Sequence, residues 1–357
     1  MTAGDARAFA LTVAVAAAGA GLAYAASVPA PYLVGPAVAV TAASLRGLPT
    51  GMPGVARDAA FLVIGLAMGT GVTPEVLQEA RSWPGSLVLL AVAVLTMIFA
   101  GAAVMRRAFG MDRNTAMLCA TPGHLSFTIL LSMEVGGETR RVVIIQSLRV
   151  LSLVVIVPLL VAAVSDRTLG AAIPFDGAPL TVPHLGILLA AALALGHVFK
   201  LLRAPAAMLL GAMFVSAIGH GSGLTPGAVP GWLSVSGFVL LGALIGTRFA
   251  GVTMSEVIGA LGAVFVLTTI SALVAVAGAL VAVWLFGVSL TSALIAFAPG
   301  GLETMAALAV LLDADIAYVA AHHVGRLMFL AALLPLLVRA PRPPGGQARD
   351  EPESRGG

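Results

Sequence analysis

Two arginines buried in apolar stretches, Arg149 and Arg326, carry the chemistry that most needs explaining. A guanidinium at membrane depth costs about 2.5–3.5 kcal/mol on insertion scales, so each must face a partner or a wet cavity. Each follows a helix break. Thr121-Pro122-Gly123-His124-Leu125 precedes Arg149, and Ala298-Pro299-Gly300-Gly301-Leu302 precedes Arg326. Pro122/Pro299, Gly123/Gly300, Arg149/Arg326 and Pro158/Pro335 all share one and the same offset along the chain. Proline removes a donor and cannot continue a helix, while glycine permits tight or left-handed turns. Three roles suit such an arginine. Its fork receives an anionic substrate group, or it binds the carbonyls exposed at the neighbouring break, or it pairs with Glu303.

Glu303 is the only carboxylate well inside an apolar segment, and its counterpart at that offset is Ser126. A buried glutamate beside a backbone break titrates and carries a proton, or helps free carbonyls coordinate Na⁺. The simpler reading, preferred here, is that it neutralises Arg326. His323 aligns with Gln146, which favours a hydrogen-bonding role over metal ligation. Adjacent His322 and His323 point about 100° apart on a helix, and no further carboxylate or cysteine set completes a metal site. Cys119 reads as a small buried hydrophobe. The candidate substrate site is therefore Arg149, Arg326, Glu303, Gln146, His323 and the two breaks, Pro122-Gly123-His124 and Pro299-Gly300-Gly301. No cofactor is called for, and Na⁺ or H⁺ coupling is compatible with the pattern.

The elements that must hold these groups are apolar. The chain is 59% hydrophobic and 10% charged, with a mean hydropathy of +1.05, too little charge to cover a soluble domain. Six apolar segments occupy each half: near 8–26, 31–46, 57–73, 84–105, 114–134 and 141–164, then 185–202, 204–220, 231–249, 256–286, 289–311 and 316–338. The run 8–26 ends like a signal peptide, but its counterpart 185–202 cannot be one, so it is kept as a first membrane helix. Gly65, Gly69 and Thr70 match Gly242, Gly246 and Thr247 at the same offset, and Gly-xxx-Gly lets helix backbones approach closely. No Walker loop, dinucleotide fingerprint or basic nucleic-acid patch is present.

Twelve crossings would scatter the cations across both faces. If each Pro-Gly segment instead dips in and returns, each half makes five crossings and the second half is inverted. The cytoplasmic side then collects the N-terminus, Arg57, Arg140, Arg141, Lys200, Arg203, Arg248 and the C-terminal tail, leaving Arg81 and Arg167 outside. The expected fold is an all-α integral membrane protein of two inverted repeats, each with five transmembrane helices and a Pro-Gly re-entrant or broken helix.

Ala-Pro-Gly-Gly-Leu at 298–302, His-His-x-x-Arg at 322–326 and Pro-Leu-Leu at 335–337, with degenerate first-half copies, resemble the AbrB-type family of bacterial membrane proteins. The short stretch at 29–36, ending Tyr-Leu-Val-Gly-Pro, fits as well. The resemblance covers about 8–340. Members are labelled ammonia monooxygenase or regulator of gene expression, and share only a name with the small soluble DNA-binding AbrB regulators. Architecturally the pattern is also similar to secondary carriers with glycine-rich re-entrant hairpins.

The expected organisation is a first membrane repeat at 8–164, a linker at 165–184, a second repeat at 185–338 and a disordered tail at 339–357. The expected function is non-enzymatic: a transporter-like protein of the bacterial inner (plasma) membrane, multi-pass with both termini cytoplasmic, moving a small anionic metabolite. The alternative is a membrane regulator acting on gene expression through a partner. An oxygenase would need a metal for which no ligand set exists. The expected partners are the lipid bilayer and a small-molecule ligand, with no direct nucleic acid, and a homo-oligomer is compatible with the sequence.

Overall fold

A computed structural model describes residues 3–70, 83–123, 125–164, 178–202, 204 and 206–338. Fourteen helices and no strand are found among them. Up to residue 164 these are α1 (Ala3–Ala25), α2 (Pro31–Leu45), α3 (Gly54–Gly69), α4 (Trp83–Phe109), α5 (Arg113–Ala120), α6 (Leu125–Glu134) and α7 (Thr139–Val164). From residue 178 on come α8 (Val182–Leu201), which begins inside the expected linker, then α9 (Ala207–Gly221), α10 (Gly231–Thr247), α11 (Met254–Phe286), α12 (Leu290–Phe297), α13 (Leu302–Leu311) and α14 (Ile316–Leu337). All twelve apolar segments became helical, and the two that carry Pro-Gly are each split in two.

The splits are hairpins. At about 1.5 Å per residue, an eight-residue helix rises only about 12 Å, and each pair of short helices ends where it began. Asn114 Nδ2 donates to the Val135 carbonyl at 2.9 Å, and the Glu138 amide donates to Thr115 Oγ1 at 2.9 Å. In the other hairpin the Asp315 amide donates to Ser292 Oγ at 2.8 Å. Side-chain caps start the outer helices: Asp112 accepts from the Thr115 amide, and Ser289 from the Ser292 amide.

Six helices, α1, α4, α7, α8, α11 and α14, are long and apolar enough to cross a membrane. The chain is therefore a multi-pass, all-α membrane protein. The ten crossings expected from sequence are only partly matched by length, since α2, α3, α9 and α10 have 15, 16, 15 and 17 residues. At about 22–26 Å these fall short of a hydrocarbon core of about 30 Å.

Backbone-to-backbone packing holds the short helices in place. A Cβ added at Gly65 would lie 2.3 Å from the Leu209 carbonyl oxygen, and one at Gly242 would lie 2.5 Å from that of Leu33. Gly69 meets Ser216, and Gly246 meets Val40 and Thr41, in the same way. The Gly-xxx-Gly of α3 thus seats on α9 and that of α10 on α2, so each half clasps the other. Between helices in lipid there is no hydrophobic drive, and this close contact supplies the van der Waals attraction instead. Thr70 and Thr247 turn their hydroxyls back to Ala67 and Leu244 of their own helices.

Candidate functional site

The two Pro-Gly breaks expose carbonyls that no helix satisfies, and the buried arginines supply their donors. Arg149, fully buried on α7, donates from Nη1 to the Cys119 carbonyl at 3.1 Å and from Nη2 to that of Thr121 at 2.7 Å. Arg326, 3% exposed on α14, donates from Nη1 to Ala298 at 2.7 Å and from Nη2 to Gly300 at 2.6 Å. Of the three roles open to these arginines, the geometry shows the second: each guanidinium binds carbonyls of its neighbouring break. A fork suits this task, because two parallel N–H groups reach two carbonyls of one break.

The mismatch between Gln146 and His323 has the same explanation. Gln146 Nε2 donates to the carbonyls of Leu118 at 2.7 Å and Thr121 at 3.0 Å, while its Oε1 accepts from Arg149. His323 bonds through Nε2 to the Ile295 carbonyl at 3.0 Å, and its Nδ1 faces Arg326 Nη2. The guanidinium can only donate, so Nδ1 accepts and the ring proton sits on Nε2. An amide and an imidazole of this tautomer each offer a donor at one end and an acceptor at the other. Leu118 and Ile295, the carbonyls they reach, are again matched at the repeat offset.

The breaks meet each other. A Cβ at Gly123, where φ is +92°, would lie 3.6 Å from Arg326 Nε and 3.7 Å from the Gly300 carbonyl oxygen. Beside this meeting point lies a cavity of about 470 Å³, whose wall includes Gly123 and Gly301 from the two tips. Its charged groups are Arg57 and Asp58 at the start of α3, Lys200 at the end of α8, Arg248 capping α10, and Glu303 in the first turn of α13. Leu125 with Leu302, and Val150 with Leu327, line it as pairs separated by the same offset along the chain. Its charges are one-sided, because Arg57 corresponds to Ser234, Asp58 to Val235 and Glu303 to Ser126.

Of the sequence candidates, the structure brings Gly123, Gly301 and Glu303 to the cavity wall. Pro122, Pro299 and Gly300 are buried in the tips, and Arg149, Arg326, Gln146 and His323 stand behind them. His124 lies outside the described residues. The expected pairing of Glu303 with Arg326 is corrected: Glu303 Oε1 stands 3.6 Å from Arg248 Nη2. Arg326 is already engaged by carbonyls and His323, whereas Glu303 at the N-terminus of α13 points toward the cavity and the end of α10. In the sequence pattern Arg57, Lys200 and Arg248 serve only as topology markers and Asp58 plays no part. One signal was available, because Lys200 is the chain's single lysine and Arg57-Asp58 is a charged pair opening an apolar segment. Among the described residues no cluster of His, Cys, Asp and Glu is arranged to hold a metal ion.

Comparison with known proteins places these features in a family. A family model described as "Transition state regulatory protein AbrB" matches residues 32–341. A Bacillus subtilis (strain 168) protein, "Uncharacterized protein YhjN", is 32% identical over 320 residues, covering 83% of this chain and 81% of the relative. An Escherichia coli (strain K12) protein, "Putative regulator AbrB", is 26% identical over 324 residues, covering 88% of this chain and 91% of the relative.

Proposed function

The chain belongs to the AbrB family, and on that premise we propose that it is a secondary carrier of a small anionic metabolite in the bacterial inner membrane. In this reading residues 8–164 and 185–338 act as inverted repeats, their hairpins re-entering from opposite faces and both termini lying in the cytoplasm. The observation that carries it is the meeting of two hairpin tips at a cavity whose described charged wall holds three cations and two carboxylates. Carriers with inverted repeats hold their substrates where broken helices meet near the midplane, and the meeting of the two tips supports that placement here. Irregular backbone survives at that depth only when shielded or facing water, and here arginine shields the inner carbonyls while the cavity faces the tips. The cations Arg57, Lys200 and Arg248 all belong to the side that the positive-inside rule assigns to the cytoplasm, so the cavity opens inward.

Purified protein in vesicles, offered labelled organic anions with and without an imposed Na⁺ or H⁺ gradient, tests the reading. Saturable uptake above that of empty vesicles is expected, and its absence for every anion offered overturns transport. The name of the Escherichia coli relative supports a second reading, a membrane sensor that regulates through a partner. Its signature is saturable ligand binding without flux.

A further inference from the structure

The described charges facing the cavity do not cancel. Arg57 donates from Nε and Nη2 to Asp58 Oδ1 at 3.1 and 3.0 Å, and Lys200 Nζ takes the other oxygen, Oδ2. Arg248 and Glu303 form a separate pair at 3.6 Å. Three cations against two carboxylates leave one positive charge, and it belongs to the group that shares Asp58. That group is the outer one: the side chains of Arg57 and Lys200 are 47% and 40% exposed, against 19% and 21% for Arg248 and Glu303. Past it the wall holds the closed Arg248–Glu303 pair among apolar side chains: Phe61 on α3, Leu125 and Ile129 on α6, Val150 on α7, Leu244 on α10 and Leu302 on α13.

These features constrain the ligand in two ways. Among the described residues a second negative charge would find no unpaired cation, since Arg248 is held by Glu303, and stripping its water is costly. A compact ion with no apolar surface would leave the inner wall uncovered and gain nothing from it. We propose that the cavity takes an organic monoanion with an apolar body, of the monocarboxylate class. Its carboxylate lies at the Arg57–Lys200 end and its tail runs toward the hairpin tips. The proposal rests on the anion-binding reading above and narrows it.

Equilibrium binding to the full-length protein in lipid nanodiscs tests it, with 4-methylpentanoate, acetate and succinate as probes. The expectation is that 4-methylpentanoate binds at least about tenfold tighter than acetate, since each buried methylene adds to affinity, and tighter than succinate. Asp58→Asn leaves two spare charges and shifts the preference toward succinate by about tenfold. Glu303→Gln makes the same change of charge from another helix, so the test stands if one variant does not fold. Wild-type succinate binding as tight as that of 4-methylpentanoate, or a preference unmoved in both variants, overturns the monoanion assignment and leaves the anion reading intact. Failure of all three probes to bind saturably also overturns the assignment, while vesicle flux decides separately whether any anion is carried.

Discussion

Replacing Arg326 by methionine asks whether the guanidinium holds the second hairpin together. In the wild type it donates to the Ala298 and Gly300 carbonyls at 2.7 and 2.6 Å in a site that is 3% exposed. Before the helices pack, α14 already carries this arginine into the bilayer, so the insertion cost is present in both the unpacked and the packed state. Packing therefore gains two charge-assisted hydrogen bonds, worth about 1.5–3 kcal/mol each. Arg326→Met should lose about 3–6 kcal/mol of packing stability, because both charge-assisted bonds vanish. The Ala298 carbonyl keeps only the Gly300 amide at 2.9 Å, and the Gly300 carbonyl loses its guanidinium donor. Arg326→Lys keeps the charge but offers a single point donor, so it should lose about half as much. Arg149→Met should match Arg326→Met, given bonds of 3.1 and 2.7 Å to Cys119 and Thr121. The assay is reversible unfolding in mixed micelles by SDS titration, together with amide exchange across 296–304. A methionine variant as stable as wild type, or a lysine variant no better than methionine, refutes the carbonyl-clamp account.

Gly69→Val, whose added Cβ would fall 2.3 Å from that of Ser216, should force α3 from α9 and lower stability by about 1–3 kcal/mol. Gly259→Ala, with nothing within 4 Å, should be neutral or gain up to about 1 kcal/mol in the same unfolding assay. Glu303→Gln breaks an ion pair at 3.6 Å between side chains 19% and 21% exposed. It should cost less than about 1 kcal/mol of stability while still changing anion preference, and a larger loss would mark the pair as structural. In a Cys119→Ala background, Glu303→Cys should react with an impermeant thiol reagent from the face bearing Arg57 and Lys200, whereas the buried Cys119 of the parent should not. Labelling only from the opposite face would reverse the assigned orientation.

The helices and their breaks were legible because the signals that make them are local. Apolar runs of a given length, Pro-Gly interruptions and glycines four apart act within one or two turns of chain, and each appears in the structure where the sequence placed it. The placement of Arg149 and Arg326 beside the breaks was legible too, since one constant offset ties each to its own Pro-Gly. So was the kinship of Gln146 and His323, though the hydrogen bonds that make an amide and an imidazole interchangeable had to be seen. The partner of Glu303 was not legible. In sequence Arg326 is the near cation, but a fork already holding two carbonyls has little left for a carboxylate, and Arg248 arrives from α10 through the crossing of the halves. The same crossing brings Lys200 to Asp58, 142 residues apart. Sequence alone determined an apolar, interrupted chain with two arginines needing partners, because hydropathy and helix breaking are properties of short segments. Only the tertiary structure decided which charges share a cavity, because a buried charge takes whichever partner helix packing brings within reach.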